Sequence, residues 1–196
     1  MIVGVTGGMG AGKSSVAGLL GKRLKFDVLN ADILCRDLLQ QKMPGWYGIR
    51  EKWGDRFFDQ NGNIERPVLR QALFTDPVIR QGVELVLHPL VRQEIISRVA
   101  EKRLNMSGMV VEVPLLFEVG WQDDFDWIVV VYAELECCVQ RIVSRDLVSL
   151  EGGRTAVSAQ ISLEEKALRA DSVIENSGSF AWTILQIYHL ARFLTG

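Results

Sequence analysis

The sequence predicts a three-layer α/β fold, in which helices cover both faces of a parallel sheet of five strands. Short apolar runs rich in β-branched residues alternate with segments of helical periodicity, and this alternation is typical of parallel sheets. The predicted strands lie at residues 2–6, 26–30, 109–113, 126–132 and 172–175. Residues 43–107 are predicted to form a mostly helical insertion, and residues 1–42 and 108–196 form the core of the fold.

The helices are predicted from their start and stop signals. Proline near the first helical position begins helices at residues 66–67 and 76–77, and the second continues as a long amphipathic stretch to residue 104. We expect an interruption of that stretch at His88-Pro89 and a break in the helix that follows Asp32 at residues 43–45. The remaining helices are predicted to begin at residue 14 and to cover residues 135–145, 155–169 and 180–194, with a polar, glycine-containing loop at 147–154.

Residues 7–14 read Gly-Gly-Met-Gly-Ala-Gly-Lys-Ser, which fits the phosphate-binding pattern G-x-x-x-x-G-K-S/T between a strand and a helix. Glycines let the backbone wrap closely around an anion, and N–H groups at a helix N-terminus face the phosphates. Lys13 is expected to reach the β- and γ-phosphates, and the Ser14 hydroxyl to bind Mg²⁺. The residues predicted to hold the nucleotide are Gly8, Gly10, Ala11, Gly12, Lys13, Ser14 and Ser15. The chain is therefore predicted to bind a nucleoside triphosphate.

Composition and charge narrow the choice of partners. The net charge of −2 and the isoelectric point near 5.8 argue against a broad nucleic-acid-binding face. No apolar run approaches the length of a membrane span, and the first strand begins at once, so we expect a cytoplasmic protein without a signal peptide. Cys35, Cys137 and Cys138 lack the spacing of a metal site or of a disulfide framework.

Asp32 stands just after the second predicted strand, at the edge where parallel sheets bind ligands. A carboxylate there could accept a proton from a hydroxyl that attacks the γ-phosphate, or could hold Mg²⁺ through water. It could equally cap the helix that follows. Position alone favours neither interpretation.

Three arginines could surround the phosphates. Arg141 and Arg145 lie four residues apart and share a helix face, and Arg154 ends the following loop. Guanidinium groups stabilise the charge that spreads over a transferring phosphoryl group, so residues 147–155 are predicted to be a lid that closes over ATP. The alternative for each of them is an ordinary surface arginine.

The third strand ends without the aspartate that often holds the metal in phosphate-loop proteins. We therefore expect Mg²⁺ to rely on Ser14, water and Asp32. Glu118, in the segment after that strand, could contact a substrate or cap the next stretch of backbone.

Two classes of nucleotide-binding protein fit a phosphate loop: a small-molecule kinase and a regulatory switch of the GTPase kind. A switch should carry an N-K-x-D guanine reader, which is absent, and a D-x-x-G after its third strand. The only D-x-x-G is at residues 59–62, in a turn of the insertion. The sequence therefore favours a kinase.

Motifs along nearly the whole chain resemble the dephospho-coenzyme A kinase family. The phosphate loop alone is shared by many families, but the Thr-Gly-Gly run at residues 6–8, His88-Pro89 and the Leu-Leu-Phe-Glu segment at 115–118 are more specific in this order. Further matching residues are Ala31, Asp32, Arg36, Asn61, Gly62, Arg66, Gln140, Arg141, Arg145, Asp146, Gln160, Lys166, Ala170, Asp171, Ile174, Glu175 and Asn176.

The resemblance implies transfer of the γ-phosphoryl group of ATP, with Mg²⁺, to the ribose 3′-hydroxyl of dephospho-coenzyme A, giving coenzyme A and ADP. It implies that Asp32 is the catalytic base, that Lys13 and Arg141 act on the phosphates, and that the helical insertion helps to hold the acceptor. Arg145 and Asn176 would bind the nucleotide. The residues implied to bind the acceptor are Asp32, Arg36, His88, Leu116 and Glu118. The implied partner is this small molecule, with neither nucleic acid nor membrane.

The chain departs from the family pattern at two places. The family often has an aspartate two residues before the base, where this chain has Asn30. A lid arginine of the family falls at Ala156, and Arg154 lies two residues earlier. Either the loop is re-registered so that Arg154 substitutes, or the lid works with less charge.

Overall fold

The computed structural model describes residues 1–196 and has five strands: β1 (Ile2–Gly7), β2 (Asp27–Asn30), β3 (Met109–Glu112), β4 (Trp127–Tyr132) and β5 (Ser172–Glu175). They form one sheet in the order β2-β3-β1-β4-β5, with every neighbouring pair parallel. The helices are α1 (Lys13–Leu24), α2 (Ala31–Leu38), α3 (Pro44–Trp53), α4 (Arg66–Thr75), α5 (Pro77–Leu104), α6 (Leu135–Asp146), α7 (Leu150–Ser158), α8 (Leu163–Leu168) and α9 (Phe180–Thr195). The predicted α/β fold with five parallel strands is confirmed.

The central strand β1 shows why this sequence forms a sheet. All six of its residues are buried, because β3 pairs on one side and β4 on the other while helices cover the faces. A strand buried on both faces tolerates a continuous apolar run, and β4 is of the same kind. Since all the strands run the same way, their carboxyl ends meet at one edge, and parallel sheets bind ligands at that edge.

The chain divides into two compact units. One contains residues 1–30 and 99–196 and holds the sheet, and the other contains residues 31–98. The second unit has a core of its own. The indole N–H of Trp46 donates a hydrogen bond to the carbonyl oxygen of Gly62 at 2.8 Å and so stabilises the turn that contains Gly62. The buried residues of this core are Ile49, Phe57, Leu69, Ile79, Val83 and Leu87.

Helix α7 replaces the loop that we predicted at residues 147–154. Ser149 caps it by accepting a hydrogen bond from the backbone N–H of Gly152 at 3.1 Å. Gly153 lies so close to α6 that an added Cβ would be 3.2 Å from a methyl carbon of Val139 and 3.3 Å from one of Val143. Glycine weakens a helix locally but allows close packing, and here packing outweighs propensity.

Three further boundaries differ from prediction. The helix predicted at 155–169 is divided by residues 159–162, where Ser162 caps α8. Pro44 begins α3, because a proline at the first helical position loses no intrahelical hydrogen bond. Helix α5 runs without interruption through Pro89. No helix has both the length and the apolar character needed to cross a membrane.

His88, half-buried in α5, makes stability depend on pH. Burial lowers the pKa of its imidazole below the ordinary 6.5, and the nearby Glu84 opposes this in part. The unfolded chain then takes up the proton more readily, so stability is complete above pH 6.5 and is lost as the pH falls through the folded-state pKa. We expect the urea midpoint to fall between about pH 7.5 and about pH 5.5, and to fall less in His88→Gln. His189→Gln, at an exposed position, is the control and should lose as much of its urea midpoint as the wild type does. If the midpoint of His88→Gln fell with pH as much as that of the wild type, the assignment to His88 would be wrong.

Candidate active site

The phosphate loop connects the end of β1 to the first turn of α1. Gly12 has a φ of 94° and Gly10 a φ of 81°, both in the left-handed region that favours glycine. An added Cβ would collide with the side-chain amide nitrogen of Asn176 at Gly12 and with the carbonyl oxygen of Cys138 at Gly10. Side chains at these positions would prevent the loop from closing, so the glycines create the cradle that an anion needs.

Two side chains, one on α6 and one just after β5, form hydrogen bonds with the phosphate loop from outside it. Arg141 on α6 donates hydrogen bonds to the carbonyl oxygens of Gly10 at 3.3 Å, Ala11 at 3.5 Å and Asn176 at 2.6 Å. The buried side chain of Asn176 donates to the carbonyl oxygen of Ala11 at 2.8 Å and accepts from the Thr183 hydroxyl at 2.8 Å. These contacts fix the carbonyls of the loop. Direct contact of Arg141 or Asn176 with the nucleotide stays a prediction.

Glu112, the last residue of β3, is a site residue that the sequence reasoning missed. Its side chain is only 4% exposed. One carboxylate oxygen accepts a hydrogen bond from the Ser14 hydroxyl at 2.8 Å, and the other accepts from the Asn30 amide at 2.5 Å. The sequence did contain a signal for it, because Glu112 is the one charged residue in an otherwise apolar strand. A charged residue is almost never fully buried unless it has a partner, so a partner for Glu112 could have been expected.

Asn30 is explained by the same contact. With Glu112 within hydrogen-bond distance, an aspartate at position 30 would place two carboxylates side by side, and like charges so close disfavour ionisation of both. The asparagine amide donates instead. The asparagine that replaces the family's aspartate at position 30 is therefore compatible with the acidic Glu112 at the end of β3, because its amide can donate a hydrogen bond to that carboxylate.

The oxygen donors at this point fit Mg²⁺, which prefers hydroxyl, carboxylate and water oxygens. Ser14 and Glu112 place a hydroxyl and a buried carboxylate 2.8 Å apart beside the phosphate cradle. Lys13 extends back across the loop, and its ammonium donates to the carbonyl oxygen of Gly8 at 2.9 Å. The residues present thus suit a triphosphate together with its cation.

The segment that follows β3 is less open than expected. Leu116 is completely buried, so its side chain belongs to the core. One oxygen of Glu118 forms an ion pair of 2.7 Å with Lys166, whose side chain is 0% exposed, and accepts from the backbone N–H of Ile161 at 3.2 Å. Contacts of Leu116 and Glu118 with an acceptor stay predictions.

The arginines proposed for the lid make local ion pairs. Arg145 binds Asp146 through two hydrogen bonds of 2.8 and 2.9 Å, which raise the pKa of its guanidinium. Arg154 on α7 pairs with Glu136 on α6 at 2.6 Å, and both side chains are more than half exposed. Exposed pairs of this kind contribute little to stability, and contact of either arginine with a phosphate stays a prediction.

Asp32 is the second residue of α2, in the unit of residues 31–98. It is exposed and makes no hydrogen bond or ion pair, so the structure gives no support to the helix-cap interpretation. Its charge does act on Cys35: burial, and then Asp32, raise the pKa of that thiol to about 11, so Cys35 is protonated at neutral pH. Arg36 follows one turn later on the same face of α2, and His88 lies within α5.

A glycine cradle at the N-terminus of a helix, on a parallel sheet with an acid beside the loop serine, is the arrangement of the P-loop nucleotide-binding proteins, and this fold belongs to that class. A sequence model of the family described as dephospho-CoA kinase matches residues 1–181. A dephospho-CoA kinase from Desulfotalea psychrophila is 35% identical over 187 residues, covering 95% of this chain and 94% of the relative. The chain belongs to the dephospho-CoA kinase family.

Two solved structures share this fold. The crystal structure of TT1252 from Thermus thermophilus is 32% identical with a TM-score of 0.79, and the match covers 100% of this chain and 98% of that one. A dephospho-CoA kinase from Campylobacter jejuni is 25% identical with a TM-score of 0.73, and covers 98% of this chain and 96% of its own.

Proposed function

We propose that this enzyme transfers the γ-phosphoryl group of ATP to the ribose 3′-hydroxyl of dephospho-coenzyme A, the last step of coenzyme A synthesis. The observation that carries the proposal is the phosphate cradle with Ser14 hydrogen-bonded to Glu112, in a chain of this family. The sequence alternatives, another small-molecule kinase or a GTPase-type switch, lack such support from the relatives.

In the proposed reaction, the ribose oxygen attacks the γ-phosphorus, its proton passes to the Asp32 carboxylate, and the bond to the β-phosphate oxygen breaks to release ADP. Loop amides and Lys13 stabilise the charge on the phosphate oxygens. Ser14, with Glu112 behind it, would hold Mg²⁺, which neutralises charge on the β- and γ-phosphates. Arg141 keeps the loop in the shape that this requires, and its positive charge lies beside the loop.

The other proposed parts are the acceptor site and the lid. Residues 43–107 bind the acceptor, with Arg36 and His88 contributing to it. Residues 147–155 act as a lid, for which the weak exposed ion pairs of Arg145 and Arg154 are suited. A cytoplasmic location belongs to the same proposal and fits the three free cysteines.

The test is a coupled assay of ADP release with dephospho-coenzyme A, adenosine, AMP and shikimate offered separately as acceptors. We expect turnover with dephospho-coenzyme A alone, and a phosphate on the 3′-oxygen of its ribose by ³¹P NMR. Equal or greater activity with another acceptor would assign the protein to a different kinase. Slow GTP hydrolysis without any acceptor would favour the switch.

A further inference from the structure

Lys166 on α8 is the one completely buried lysine of the chain. Its ammonium forms an ion pair of 2.7 Å with Glu118 and donates to the carbonyl oxygen of Pro114 at 3.0 Å. A charge is costly to bury and a buried ion pair rarely adds net stability, because the desolvation penalty offsets the attraction. The pair therefore calls for an explanation other than stability.

Residues 160–166 connect this ion pair to the phosphate loop. At one end, the Gln160 side chain accepts a hydrogen bond from the backbone N–H of Met9 at 3.0 Å. The side chain of Leu163 lies over Gly8, where an added Cβ would be 3.2 Å from it. At the other end, Lys166 holds the same segment against Glu118.

Lys166 also holds the segment that follows β3, through Pro114 and Glu118. The carbonyl oxygen of Pro114 accepts from Lys166 and also from the hydroxyl of Thr6, at 3.1 Å, near the end of β1. Glu118 accepts from both Lys166 and the backbone N–H of Ile161. Its other carboxylate oxygen is buried without a hydrogen-bond partner.

We propose that Lys166 and Glu118 are positioning residues for phosphoryl transfer: the ion pair clamps residues 160–166 against the phosphate loop. The clamp sets the position of Met9 and Gly8 through Gln160 and Leu163. This inference rests on the proposed function and is an alternative to the acceptor contact that the resemblance implies for Glu118. A displaced loop binds ATP in a poorer geometry for transfer, so loss of the clamp lowers kcat, whereas loss of an acceptor contact would raise the acceptor KM.

The experiment uses three variants of the full chain: the double variant Lys166→Met with Glu118→Gln, the single variant Gln160→Leu, and all three changes together. The double variant removes both buried charges, so it leaves none unpaired. We expect the double variant and Gln160→Leu each to lower kcat about 10-fold or more while the acceptor KM changes less than about 2-fold. The triple variant should be no slower than the slower of these two, because all the changes break one clamp.

Glu165→Gln is the matched control, since it removes a charge from the exposed side of α8, 3.7 Å from Arg169, and should leave kcat unchanged. Each variant is first compared with the wild type by thermal unfolding, and kinetics are measured well below the lowest midpoint. If the double variant does not fold, Gln160→Leu decides alone, and an unchanged kcat overturns the proposal.

Three other results would also overturn it: a normal kcat in the folded double variant, losses that multiply in the triple variant, or a raised acceptor KM with normal kcat. The variants are assayed with whichever acceptor the wild type uses. Failure of dephospho-coenzyme A as a substrate would thus contradict the proposed function, while the kcat comparison would still judge the clamp.

Discussion

Asp32→Asn should lower turnover by about 10²- to 10⁴-fold, the usual contribution of a positioned general base, while ATP affinity changes little. The amide keeps the size of the carboxylate but cannot take the proton from the attacking hydroxyl. Asp32 is exposed on α2, and the substitution would remove no hydrogen bond or ion pair with another residue. The measurements are kcat at saturating substrates and ATP affinity by fluorescence titration.

Asp37→Asn is the control for Asp32→Asn. Asp37 is exposed on the same helix α2 and accepts a hydrogen bond from the side chain of Gln40 at 2.9 Å, at the surface. We expect near-normal turnover from it. Near-normal turnover of Asp32→Asn itself would remove Asp32 from the chemistry, and parallel losses in the two variants would point to a disturbed α2.

The sheet and the phosphate loop could be predicted because their signals are local. A β-branched apolar run such as that of β4 is typical of a strand that is buried on both faces of a parallel sheet. The glycines of the loop are required by the backbone itself, as the left-handed φ of Gly10 and Gly12 shows. Features of this kind are written in consecutive residues, so a single sequence carries them.

The clamp and the acid of the site depend on contacts between distant residues. Glu112 meets Ser14 across 98 positions of sequence, and Lys166 meets Pro114 across 52. Lys166 lies in a short helix directly after two exposed glutamates, Glu164 and Glu165, and only tertiary packing buries it. The same cause explains α7, whose two glycines predicted a loop. Close packing of α7 against α6, which Gly153 allows, outweighs the low helix propensity of these glycines. Charged residues inside apolar strands are the local signal that could have identified Glu112.

Lys13→Ala should reduce kcat/KM for ATP by about 10²- to 10³-fold or more, with weaker ATP binding as well as slower turnover. The lysine contacts phosphate oxygens in the ground state and in the transition state, so its loss affects both, unlike the loss of a base. Its ammonium already donates a hydrogen bond to the carbonyl oxygen of Gly8 at 2.9 Å. The side chain therefore has little conformational freedom left to lose when ATP binds.

The comparison that separates these two residues is ATP affinity. Lys13→Ala should weaken it clearly, whereas Asp32→Asn should not, and a fluorescence titration with ATP measures both. Lys22→Ala, at an exposed position near the end of the same helix α1, is the control and should behave as the wild type. If Lys13→Ala kept both its ATP affinity and its turnover, the triphosphate would have to bind elsewhere, and the cradle of Gly10 and Gly12 would lose its assigned role.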